Sequence, residues 1–247
     1  MKASVDKNTL IPIDKKNLDK FKAYSTFHFY KKNDFVFQAG RNKANFYLLL
    51  SGRVKLYRVS ALGKEVTQWF CFPGEAFGLS ELHTSNHKTL FAQCSEESEV
   101  LAIPLSQFNR FLQQSPEISL KIIEQLSVRL KIAGDTLLNI TSDDAKTRLI
   151  KLLSRLVMRF GIDYKNGILI DVQLTYKEIA DMIGTCRQTV TTALGELKEK
   201  GDIKIIGHQF FIPNPTSFEM LAGYCDSKTI DKSLLKKAST YDKQLTH

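Results

Sequence analysis

The chain has 247 residues, 43% of them hydrophobic, which suits one or two globular domains and lies far from a disordered composition. No apolar run reaches the roughly 20 residues of a membrane span, and the polar start MKASVDKNTLIPIDKKNLDKF is no secretory signal, so a cytoplasmic location, or the plastid stroma for a plastid-encoded chain, is the expectation. The net charge of +9 favours polyanionic partners without naming one. Four scattered cysteines, Cys71, Cys94, Cys186 and Cys225, lack the close spacing of a zinc ribbon, a thiolate-held iron–sulfur cluster or a dithiol redox pair.

In chain order, residues 1–28 read as a Lys-rich arm. From there to about residue 115 the pattern is short strands punctuated by glycine. Phe35 to Phe37, Phe46 to Leu50, Val54 to Val59 and Val66 to Phe72 are β-rich. Gly40, Gly52, Gly63, Gly74 and Gly78 separate them, as in a roll, barrel or sandwich.

Ser115-Pro116-Glu117 then opens a helix with a hydroxyl cap, a proline at the first position and an acid at the positive end. Residues 116–142 predict one long helix. Ile123, Leu126, Leu130, Ala133, Leu137 and Ile140 alternate spacings of three and four, which gives a seam for a second copy or a face packed on its own domain. A further helix follows over about 143–160, then a loop at 161–167 and a strand over 168–172.

Thr175-Tyr176-Lys177-Glu178 is a capping box, and Thr185-Cys186-Arg187-Gln188 is a second, with Gly184 at the turn between them. Two short helices so joined form a helix-turn-helix, whose second helix offers its first residues to the DNA major groove. Arg187, Gln188, Thr191 and Thr192 occupy those positions. Arginine can fork onto a guanine, glutamine onto an adenine, and threonine can meet a phosphate or a thymine methyl. Thr175 and Lys177 join them as candidate DNA contacts; a plain solvated face is the alternative. Residues 203–206 and 210–212 predict a two-stranded wing, and 223–247 a basic tail. No Walker loop, HExxH or GxSxG motif supports an enzyme, and no catalytic residue is assigned.

With these parts in this order, FYLLLSGRVKLYRV, FPGEAFGLSEL and LTYKEIADMIGTCRQTVTTALGELKEKG resemble the Crp/Fnr family of transcription regulators over about residues 29–221. Within it, Phe77-Gly78-Leu79-Ser80 and Arg148-Leu149…Phe160-Gly161 look most like the nitrogen-control regulators of cyanobacteria and some algal plastids. The resemblance implies an α+β chain: a cyclic-nucleotide-binding-like β-roll at 29–115, a dimerisation helix at 116–142, and a winged helix-turn-helix at 143–222. It also implies a homodimer on a palindromic operator, and contact with RNA polymerase through the 161–167 loop. Gln188 and Thr192 replace the Glu and Arg common at those places, so the half-site should depart from the usual one.

The sensor departs from the cyclic-AMP pattern as well. Leu79 follows Gly78 where that site has Glu, and Ala133 and Gly134 replace its adenine-contacting Thr and Ser. The resemblance to nitrogen regulators places a 2-oxoglutarate-like carboxylate at Phe77, Gly78, Leu79, Ser80 and Arg129. Their second ligand arginine, however, falls at Leu90. For Arg129, an intersubunit ion pair is the alternative. No metal site is assigned, although His83 and His87 have ligand-like spacing. A ligand-independent regulator, a redox-modulated one using Cys94 or Cys186, and a ligand-binding roll with a silent DNA module stay open.

Overall fold

The computed structural model describes residues 15–40, 45–78 and 90–222. Contacts divide the chain into two compact units: residues 1–142 with 177–186, and residues 143–176 with 187–247. Among the described residues no helix is long and apolar enough to cross a membrane.

The first unit begins with helix α1 (Lys15–Tyr24) and strand β1 (Thr26–Tyr30). Helix α1 lies within residues 1–28, read as an arm, and β1 straddles the end of that segment, where the roll was expected to begin. The signal was diluted by lysines: Leu18, Phe21 and Tyr24 recur every three residues, and Phe21 is fully buried against Phe46 and Phe111. Strands β2 (Phe35–Phe37), β3 (Asn45–Ser51), β4 (Val54–Val59), β5 (Glu65–Cys71), β6 (Ala76–Phe77), β7 (Phe91–Cys94) and β8 (Ser98–Pro104) follow. They form two four-stranded sheets, ordered β1-β8-β3-β6 and β2-β7-β4-β5.

One core, including Leu49, Val54, Phe77, Ala92 and Val100, lies between inward-facing residues of both sheets. A second joins β3 and β8 to helix α2 (Leu105–Gln114) and the start of helix α3 (Pro116–Ser142), through Phe46, Leu48, Phe108, Phe111, Ile118 and Ile122. Gly52 is required where β3 turns into β4. Its φ is +84°, and a Cβ there would stand 2.2 Å from the Glu97 carbonyl oxygen.

The 27-residue α3 carries different chemistry on its two sides. Ile118, Ile122 and Gln125 are buried. Ile123, Leu126, Leu130, Ala133, Leu137 and Ile140, the seam residues, are all exposed in the single chain.

In the second unit, helix α4 (Ala145–Phe160) is capped by Asp144, whose carboxylate accepts the Thr147 N–H at 2.7 Å. Those hydrogen bonds hold the Asp144 carboxyl below its ordinary pKa. Strands β9 (Gly161–Tyr164) and β10 (Gly167–Ile170) form a hairpin where the sequence suggested a loop. The turn depends on Lys165 at φ 49°, a left-handed conformation that lysine does not advertise. After helix α5 (Tyr176–Ile183) and helix α6 (Arg187–Glu199) come β11 (Lys204–Ile206) and β12 (Gln209–Ile212), in a sheet ordered β11-β12-β10-β9. Helix α7 (Pro215–Leu221), capped by Asn214, buries Phe218.

Candidate nucleic-acid interface and sensor site

Helix α6 is amphipathic. Val190, Ala193, Leu194 and Leu197 are buried, while Arg187, Gln188, Thr191 and Thr192 are exposed. The exposed four recur at i, i+1, i+4 and i+5, so they share one edge of the helix over its first two turns. No acidic residue occupies the first turn. The Thr191 hydroxyl donates to the Arg187 carbonyl at 3.0 Å, and that of Thr192 to the Gln188 carbonyl at 3.3 Å. Both hydroxyls can still accept a hydrogen bond from a base edge, and both methyl groups are available to apolar contact.

The wing pairs Lys204 with Phe211 and Ile206 with Gln209, and Gly207 (φ 61°) and His208 make its tip. Lys204 and His208 are exposed. Gln209 donates to the Asp171 carboxylate at 2.7 Å, tying down β12 beside the tip of the wing.

Thr175 and Lys177 are both exposed. Lys177 is engaged, its ammonium lying 2.6 Å from Asp181 Oδ1 one helical turn on. Glu178, read from sequence as half of a capping box, also pairs with Arg53, at 3.0 Å from Nε to Oε1, with both side chains nearly buried. Arg53 in turn reaches Glu96 at 3.2 Å. Nothing in the sequence pattern distinguished Arg53 from a solvated strand residue.

The sensor residues separate into structural and electrostatic roles. Phe77 is a core residue, stacked on Tyr47 with ring centroids 5.1 Å apart. Gly78 has φ +91°, and a Cβ there would come within 2.6 Å of the Asn45 carbonyl oxygen, so close packing on β3 accounts for the glycine. Leu79 and Ser80 lie outside the described residues, as do His83, His87 and the tail at 223–247.

Arg129 is largely buried, and its partner belongs to its own chain. Nη2 lies 2.8 Å from Glu75 Oε2 and 3.6 Å from Cys71 Sγ. Burial opposes its charge, but the Cys71 sulfur and the Glu75 carboxylate outweigh that and hold the guanidinium above its ordinary pKa. Trp69 completes the group. Its Nε1 donates to the same Glu75 oxygen at 2.8 Å, and its ring lies 5.2 Å from the Arg129 guanidinium carbon. Sequence reasoning missed Glu75, Trp69 and Gln125; a charged residue inside the otherwise apolar run FPGEAF was the available signal.

Of the cysteines, Cys71 and Cys94 are buried and Cys186 is exposed. Burial pushes the Cys94 thiol up to about 11. Among the described residues no cluster of His, Cys, Asp and Glu is placed to hold a metal.

Comparison with known proteins gives the same two parts. Residues 27–115 match the cyclic nucleotide-binding domain, and residues 147–221 the Crp-like helix-turn-helix domain. The global nitrogen regulator of Nostoc sp. is 32% identical over 190 residues, 76% of this chain and 85% of the relative. The global nitrogen regulator of Synechocystis sp. is 32% identical over 184 residues, 74% of this chain and 82% of the relative. In fold, a CooA mutant from Carboxydothermus hydrogenoformans superposes with a TM-score of 0.74 at 22% identity, covering 89% of this chain and 98% of that one. With a roll that matches the cyclic nucleotide-binding domain, a long helix and a Crp-like helix-turn-helix all in place, this chain belongs to the Crp/Fnr family of DNA-binding transcription regulators.

Proposed function

We propose that this regulator binds a palindromic operator as a homodimer, paired through α3, and activates transcription in response to a small anion other than cyclic AMP. The observation that carries the reading is the two-sided chemistry of α3. Its roll-facing side is buried, while Leu126, Leu130 and Leu137, at spacings of four and seven residues, are 43%, 76% and 69% exposed in one chain. An apolar stripe of that length on a regulator demands a cover, and a second copy of the same helix matches its spacing. Two copies then present two α6 helices to half-sites about one DNA turn apart.

Several features support an anion. Arg129 carries a permanent charge on the roll-facing part of α3, and the relatives bear the name global nitrogen regulator, which makes 2-oxoglutarate the first compound to try. The carboxylate-for-phosphate logic fails for cyclic AMP, since Leu79 stands where its Glu would be and Phe77 is committed to the core. Contact with RNA polymerase is assigned to the β9–β10 hairpin, whose Ile162, Asp163, Lys165 and Asn166 are exposed. The chain works in the cytoplasm, or in the stroma of a plastid that encodes it.

Selection of bound DNA from a random library, with and without 2-oxoglutarate, tests the proposal. A two-fold symmetric sequence that is enriched more strongly with the acid is the expected result. Enrichment of a symmetric sequence indifferent to the acid rejects this effector and keeps the dimeric operator. An asymmetric single half-site rejects the dimer.

A further inference from the structure

Arg129 already holds a carboxylate, and that carboxylate is anchored by the backbone around it. Glu75 is fully buried. Its N–H donates to the Phe72 carbonyl at 3.0 Å, and its own carbonyl accepts from Leu49 at 3.0 Å. The next residue, Ala76, donates its N–H to Gln125 Oε1 at 3.0 Å. Glu75 is therefore fixed to the turn between β5 and β6, whereas Arg129 and Gln125 ride on α3, one helical turn apart. Gln125 Nε2 and Arg129 Nε are both buried and meet no hydrogen-bond acceptor among the described residues.

We propose that Glu75 is a resident competitor at the sensor site: an anionic effector takes Arg129 only by drawing it away from Glu75, and its oxygens satisfy Gln125 Nε2 and Arg129 Nε. The inference rests on the anionic-effector reading above and adds how the site is regulated. Two carboxylates brought to one guanidinium repel each other, and the tethered one begins in place. The exchange resists half-measures, because Glu75 is fully buried and loses with Arg129 the positive charge that balances its carboxylate. A ligand that wins is one bringing a carboxylate together with a second oxygen acceptor, as a short dicarboxylate or 2-oxo acid does. Since Arg129 lies between Leu126 and Leu130 in the sequence of α3, its release is felt on the helix that carries the exposed seam. The anion's apparent affinity is lowered by the fraction of molecules in which Glu75 holds the arginine.

Trp69 is the only tryptophan in the chain and donates to the contested oxygen, so its emission reads the exchange directly. Full-length wild type, Glu75→Gln and Glu75→Gln/Arg129→Gln are titrated with 2-oxoglutarate and, separately, with sulfate. Glu75→Gln should bind 2-oxoglutarate at least tenfold more tightly than wild type, and the double variant should lose the gain. If neither protein binds 2-oxoglutarate but Glu75→Gln acquires a sulfate site that wild type lacks, the competitor stands and that effector fails. Equal or weaker binding of both anions by folded Glu75→Gln overturns the competitor. Should Glu75→Gln fail to fold, the wild type decides: calorimetric binding of 2-oxoglutarate without change in Trp69 emission overturns the inference, and binding with a change supports it.

Discussion

Leu130→Asp is the sharpest perturbation of the assembly. In one chain Leu130 is 76% exposed, so it makes almost no contribution to the monomer's own core and its replacement leaves the roll intact. In the proposed dimer it is covered. Complete burial of a leucine side chain contributes about 1.5–3 kcal/mol, and three-quarters of that is about 1–2 kcal/mol for each copy. A homodimer loses it twice, about 2–4 kcal/mol, before any cost of placing a carboxylate opposite its symmetry mate. At 1.4 kcal/mol per factor of ten, the dimer dissociates about 30- to 1,000-fold more readily. Sedimentation velocity over a micromolar concentration series should show wild type as a dimer and Leu130→Asp as a monomer with unchanged circular dichroism. Operator affinity should fall with it, since two half-sites can no longer be held together. A variant that sediments as a dimer over the whole series would refute the seam.

Arg187→Ala should cost about 1–3 kcal/mol of operator affinity and flatten the preference at one base pair per half-site, measured by competition with singly substituted operators. An affinity loss spread evenly over all sequences would instead make Arg187 a phosphate contact. Gly52→Ala should destabilise the roll by about 3 kcal/mol or more, because the φ of +84° and the 2.2 Å approach to the Glu97 carbonyl leave no room for a methyl group; thermal unfolding checks it. Cys186→Ser should remove a rapidly reacting thiol at neutral pH, and Cys94→Ser should not, since Cys94 is buried with its thiol pushed up to about 11. The same shift fixes a sign. The unfolded thiol ionises first, so the folded chain loses stability as pH climbs from 9 towards 11, a loss absent in Cys94→Ser.

The helices of the DNA-binding part were legible because local chemistry dictates them. A glycine at φ 66° between two capping sequences is a turn in any context, and the apolar stripe Val190, Leu194, Leu197 has one possible burial. The long helix was legible for the same reason, and its two faces could be told apart only once the roll was in place to cover Ile118, Ile122 and Gln125. What sequence reading lost were long-range pairings. α1 was hidden because seven of its ten residues are charged, Asn or Tyr, while Phe21 is buried in the core with Leu18 and Tyr24 packed beside it. Glu75 meets Arg129 across 54 residues, and Arg53 meets Glu178 across 125, distances over which spacing carries no information. Glu75 changes the reading most, because an arginine expected to await an anion is found holding one.

In the proposed dimer, the distribution of charge explains why the seam matters to DNA binding. The net +9 favours polyanionic partners, yet residues 143–222 contain eleven Lys and Arg against ten Asp and Glu, so the excess lies in the remainder of the chain. Non-specific attraction to phosphate scales with the cations that replace counterions, and a nearly neutral module has few to spare. In the proposed reading, affinity comes from directed contacts at the edge of α6 and the wing, where Arg187, Gln188, Lys204 and His208 are exposed. Four such residues on one copy make a weak reader. Joining two copies through α3 makes the second contact intramolecular and multiplies affinity without adding a single charge. A regulator built in this way gains control of DNA binding from whatever controls α3, and the roll touches α3 through the buried cluster of Glu75, Trp69, Gln125 and Arg129.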